Sequence, residues 1–120
     1  MLPFSAQAHH PQEAQMTFAD NIKQLPSVAH LAQLELRNAA GEVVACIPNQ
    51  PGKAGSLAVY AALAAKYGRI DAAAAEEGLA LFAEHTEAAR AHPGSHPNID
   101  RLFHIICSGE ALEVKLTSIT

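Results

Sequence analysis

Lysine, serine and two glycines meet in the run Asn49-Gln-Pro-Gly-Lys-Ala-Gly-Ser56. It lies between a strand-like run, Glu42 to Ile47, and a helix-like run, Leu57 to Tyr67. A strand-to-helix junction of this composition has the ingredients of an anion site: the first N–H groups of a helix lack intrahelical acceptors, and the helix dipole favours negative charge there. Lys53 would supply charge, Ser56 a hydroxyl, and the N–H groups of Gly55, Ser56 and Leu57 the cradle. It is not a nucleotide-binding P-loop. Lys53 is followed by Ala54, where that motif places Ser or Thr, and Ile47 stands where it places its first glycine. No G-x-G-x-x-G is present either, which excludes a dinucleotide fingerprint. The plainer alternative is a turn at Pro51-Gly52, a close helix contact at Gly55, a cap at Ser56 and a solvated Lys53.

Histidines form the second constellation: His85, His92 and His96. As metal ligands they are poorly spaced. In one continuous helix His85 and His92 would share an azimuth but lie about 10 Å apart along the axis, and Pro93-Gly94 separates His92 from His96. No H-E-x-x-H or C-x-x-C is present. A loop that folds His92 and His96 together could add Asp100 or a cysteine as a further ligand. As structural residues they are ordinary: His85 on a helix face, His92 at a helix C-terminus, His96 as the cap before Pro97. His96 could also join the anion site of Lys53, Gly55 and Ser56 if the fold brings them together. His85, Glu84 and Glu87 are acid–base candidates on one helix, although the two acids read as a solvated face. No nucleophile–base–orienter triad is legible, so the sequence leans away from an enzyme without deciding the question. It calls for no cofactor.

The elements that must position these residues are those of one domain. The chain has 120 residues, 49% of them hydrophobic, and alanine supplies many of these, so the large core residues are few. The net charge is −4 and the eight Lys and Arg residues are scattered, which argues against nucleic acid and anionic membranes as partners. No apolar run approaches the roughly 20 residues of a membrane span, and the first residues lack the pattern of a secretory signal. A cytoplasmic setting is expected, with Cys46 and Cys107 as buried free thiols.

Residues 1–15, rich in Ala, Gln, His and Pro and containing His9 and His10, read as a disordered tail; residues 16–120 read as a single α+β domain. Thr17 and Asp20 predict a capped short helix with Phe18, Ile22 and Leu25 on its apolar face, ended by Pro26. A hairpin follows, turning at Asn38-Ala39-Ala40-Gly41 and pairing Leu36 with Val43 and Leu34 with Ala45. Its other face, with Val44 and Cys46, is more apolar than a solvated face requires, which suggests cover by a neighbouring element or a second subunit. Three helices are predicted at about 56–67, 71–91 and 97–108, closed by Gly68, Pro93-Gly94 and Gly109. A final strand turns Leu112, Val114 and Leu116 inward. The order is α-β-β-α-α-α-β: a small three-stranded sheet, the hairpin plus the last strand, packed with three to four helices.

Several stretches together resemble one family. They are Thr17-Phe-Ala-Asp-Asn, Gln24-Leu-Pro-Ser, Ile47-Pro-Asn-Gln-Pro-Gly-Lys-Ala-Gly-Ser-Leu, Gly78-Leu-Ala-Leu-Phe-Ala-Glu-His85-Thr and Ala91-His-Pro-Gly-Ser-His-Pro-Asn-Ile-Asp100. From about residue 16 onward the chain is similar to the small bacterial proteins grouped as domain of unknown function 2322. The resemblance implies a bacterial, cytoplasmic protein and carries no activity or site residues with it.

The residues alone therefore point to a non-catalytic binding or interaction domain that self-associates through its sheet. One alternative is a binder of a small phosphate- or carboxylate-bearing ligand at the Gly-Lys-x-Gly-Ser loop. The other is a metal-dependent enzyme using the histidines.

Overall fold

A capping box opens the fold. The Thr17 hydroxyl accepts from Asp20 N and the Asp20 carboxylate accepts from Thr17 N, and together they start α1, Phe18–Lys23. The computed structural model describes residues 16–119; the tail expected at 1–15 lies outside them. Strands β1 (Leu31–Arg37) and β2 (Val43–Pro48) form the hairpin, and β3 (Glu113–Ser118) returns to β1. The sheet is antiparallel with the order β2-β1-β3. Between β2 and β3 run α2 (Ala54–Tyr67), α3 (Ala72–Phe82), α4 (Glu84–Ala91) and α5 (Pro97–Ser108). The α+β order read from the sequence stands, with its middle helix divided in two.

That division is accommodated by hydrogen bonds from within the expected helix and from α1. Nothing between Asp71 and Ala91 is a glycine or proline that would end a helix at this point, yet Ala83 sits at φ 51°, ψ −117° and serves as both the end of α3 and the start of α4. The carbonyls freed by the break are taken up by other groups. Thr86 Oγ1 donates to Leu79 O (2.6 Å) and Asn21 Nδ2, from α1, donates to Leu81 O (2.9 Å). Among the described residues Thr86 is the buried polar residue of the core, and this hydrogen bond satisfies it.

The hairpin register is two residues from the expected one. Leu36 faces Ala45 and Leu34 faces Ile47, with a bulge beside Arg37 that places Arg37 opposite Val43. The Asn38 side chain accepts from both Ala40 N and Glu42 N, and so winds the turn about itself; Gly41 supplies the positive φ, 83°. A slip of two keeps Leu34, Leu36 and Ala45 on their expected face, but the bulge turns Val43 to the other face, opposite Arg37, where it is 51% exposed. Leu34, Leu36 and Ile47 are buried with Leu57, Val59, Tyr60 and Leu63 of α2 and with Ile99, Leu102 and Ile105 of α5. Gly78 of α3 lets these helices close up: a Cβ there would lie 2.8 Å from Leu102 Cδ1 and 2.9 Å from Leu63 Cδ1.

Besides Val43, three side chains expected inside are outside. Leu116 lies on the inner face opposite Leu34 but is 47% exposed, because α2 packs over β1 and β2 and leaves β3 at the margin. Cys46 and Cys107 are free and exposed rather than buried. Cys46 is on the outer face of β2, beside Gln33, and Cys107 is in the last turn of α5. Among the described residues no helix is long and apolar enough to cross a membrane.

A cavity at the meeting of helix N-termini

The chain after β2 turns through Pro51-Gly52, with Gly52 at φ 85°, and enters α2. The helix starts earlier than Ser56. Lys53 is its N-cap, without a side-chain cap bond, and Ser56 is its third residue. Ala54 N donates to Gln50 O and Leu57 N to Lys53 O. The Leu57 N–H is thus occupied, whereas among the described residues the N–H groups of Gly55 and Ser56 have no backbone or side-chain acceptor. The first turn of α2 contains no acidic residue.

Opposite it begins α5. His96 is its N-cap and Pro97 its first residue. The His96 carbonyl accepts from Ile99 N and Asp100 N, while its side chain makes no cap bond. The Asn98 N–H has no acceptor among the described residues. Asp100, the acid of that first turn, is engaged elsewhere, accepting from Gly94 N at 2.9 Å. Behind Asn98 lies a polar network. The Tyr60 hydroxyl donates to Asn98 O (2.6 Å), and Arg101 Nη1 donates to the Tyr60 oxygen (3.1 Å) and to Asn98 Oδ1 (2.9 Å). Burial pushes the Tyr60 phenol up to about 12, against the opposing pull of Arg101, so the hydroxyl keeps its proton and fixes the first turn of α5.

A cavity of about 370 Å³ lies between these two helix starts. It is lined by Lys53, Gly55, Ser56 and His96, and by His85, Phe18, Phe82 and Asn98 among others. All four residues singled out as an anion site from the sequence therefore border one space. His85 and His96 reach it from different elements, with ring centroids 5.8 Å apart. His85 is placed by the break at Ala83, being the second residue of α4. Its ring meets the edge of Phe18 at 4.9 Å, and Phe18 stacks on Phe82 at 5.4 Å. Gly55 makes room for this aromatic wall, since a Cβ on it would fall 2.7 Å from Phe18 Cζ.

His92 does not join them. It caps the end of α4, is exposed, and its carbonyl accepts from Ser95. Among the described residues no group of three or more His, Cys, Asp or Glu side chains could hold a metal ion. Glu87 pairs with Arg90 on the surface. Glu84, read from the sequence as solvated, accepts from Phe18 N at 2.8 Å, and hydrogen bonds from Phe18 N and its own N hold its carboxyl below the ordinary value. Phe18, Phe82, Asn98 and the role of Glu84 were not visible beforehand. Phe18 stands 35 residues ahead of Lys53 and looks like any helix-face aromatic.

Four helices thus present N-terminal turns around this region: α1 through Phe18, α2 through Gly55 and Ser56, α4 through His85 and α5 through Asn98. The starts of α1, α4 and α5 carry acids of their own, whereas the first turn of α2 carries none, so the dipole of α2 is the one left uncompensated for negative charge. No curated protein and no solved structure matches the chain. Residues 18–116, spanning α1 through most of β3, match the family described as "Uncharacterized protein conserved in bacteria (DUF2322)", and the chain belongs to that family.

Proposed function

We propose that this domain binds a small anion-bearing molecule, a phosphate or carboxylate compound, in the cavity between the starts of α2 and α5. One observation carries the reading: two helix starts border one cavity, which Lys53, Ser56, His85 and His96 also line, and among the described residues the N–H groups of Gly55, Ser56 and Asn98 there have no acceptor. Such groups bind anions through directed donors and the dipole together. A cation would meet the same field with the wrong sign, which places the metal-enzyme alternative behind this one. Catalysis is not part of the proposal. The test is a titration of the full chain with inorganic phosphate and with citrate, followed by calorimetry and by amide shifts. Saturable binding with shifts at Gly55, Ser56 and Asn98, weakened severalfold in Lys53→Ala, is the expected result. An absence of heat and shifts, or binding unchanged in Lys53→Ala, removes the proposal.

A second reading, self-association, draws support from the sheet. Val43 and Val44 on edge strand β2 are 51% and 48% exposed, and Cys46 on the outer face is exposed beside them. An open edge with apolar side chains is a template for pairing with another strand. Light scattering over a wide concentration range decides it: a monomer throughout eliminates this reading.

A further inference from the structure

The lining of the cavity is divided, and on the reading that it holds an anion the division narrows the ligand. We infer that the ligand is a phosphomonoester bearing a small planar or apolar organic group. One part of the lining is made of donors: the N–H groups of Gly55 and Ser56 and the Ser56 hydroxyl from α2, with Asn98 N–H and the His96 ring from α5. They come from two separate helices. A carboxylate offers two oxygens in one plane, whereas a phosphomonoester offers three terminal oxygens in tetrahedral directions and more negative charge, so the latter has more directions in which to accept from both helices at once.

The other part is aromatic. Phe18, Phe82 and His85 form one contiguous wall, with Phe18 stacked on Phe82 at 5.4 Å and meeting His85 at 4.9 Å. Ring faces carry negative quadrupole charge and give a phosphate nothing. The cavity, about 370 Å³, falls in the range that encloses small molecules. A bare anion would leave the aromatic wall to water, and an organic group laid against it would release that water.

The experiment compares phenyl phosphate, inorganic phosphate and benzoate on the full chain by calorimetry and NMR. Phenyl phosphate is expected to bind about tenfold or more tightly than either of the other two. It should also shift the ring resonances of Phe18 and Phe82, which inorganic phosphate should leave in place. Phe18→Leu, checked for folding by circular dichroism, should erase most of the advantage over inorganic phosphate; the ring shifts give the same answer without a variant. Equal binding of phenyl and inorganic phosphate overturns the organic half of the inference. Equal binding of benzoate and phenyl phosphate overturns the phosphate half. Both of those results leave the anion site standing, whereas silence from all three compounds removes the site as well.

Discussion

Two helix junctions lie side by side in this domain, built from the same parts and filled differently. At the meeting of α1 and α4 the protein supplies its own carboxylate. Glu84 accepts from Phe18 N, and its carboxyl is held below the ordinary value by that bond and by its own N–H. At the meeting of α2 and α5 no carboxylate enters: α2 has no acid in its first turn, and Asp100 of α5 is turned to Gly94. The first junction is a finished structural joint. The second retains donors without acceptors beside a cavity, which is what a site for an external anion requires. Phe18 belongs to both, since its N–H is closed by Glu84 and its ring walls the open cavity.

Three substitutions test whether this difference is real. The largest effect is expected from Gly55→Ala. The new Cβ would fall 2.7 Å from the Phe18 ring and push apart the wall shared by the junctions. Overpacking should outweigh alanine's better helix propensity and leave a net loss of about 1–2 kcal/mol in urea unfolding. Stability unchanged or raised would mean that Phe18 is loosely held and the junctions are independent.

Glu84→Gln should cost less, within about 0.5–1 kcal/mol, the range for exposed N-terminal acceptors after solvent screening. Its signature is pH. The folded-state carboxyl titrates below its ordinary value of 4.5, so its contribution is fully present above that value and is lost as pH falls through the folded-state value. The gap between wild type and Glu84→Gln should therefore be constant at neutral pH and close in acid. A gap that persists in acid would assign the effect to something other than this charge.

The smallest change in stability, a gain of a few tenths of a kcal/mol, is expected from Ser56→Asp, which places a resident carboxylate at the third position of α2. This variant makes the open junction resemble the closed one, and phosphate binding should disappear with it. A stabilised variant that still binds phosphate would place the anion elsewhere.

Much of this arrangement is written locally in the sequence. The Thr17–Asp20 box, the Asp71 cap, the turn at Gly41 and the helix ends at Gly68 and Gly109 each depend on a few adjacent residues, and all are found. The loop at Lys53 was legible for the same reason. What was hidden depends on distant partners. Ala83 is a good helix former placed in a left-handed backbone region, and the groups that accommodate the break include Asn21, which reaches Leu81 from 60 residues away. Because that break was invisible, so were the end of α3, the placing of His85 and the use of Glu84 as an acceptor. The exposure of Leu116 was hidden likewise, since alternation gives the face of a strand but not the width of the helical layer above it.

The strand order carries a consequence for the sequence of folding events. β1 sits between a neighbour reached through a tight turn and one reached only after four intervening helices. The β1–β2 hairpin closes over a short loop, whereas β3 can dock only after a long loop closure, so the sheet is completed late. With Leu116 and Ile119 still largely in water at that margin, β3 is also the strand that detaches at least cost. Backbone amides of β3 should exchange with solvent faster than those of β1, and the domain should open from that side while the junctions at the far ends of the helices remain intact.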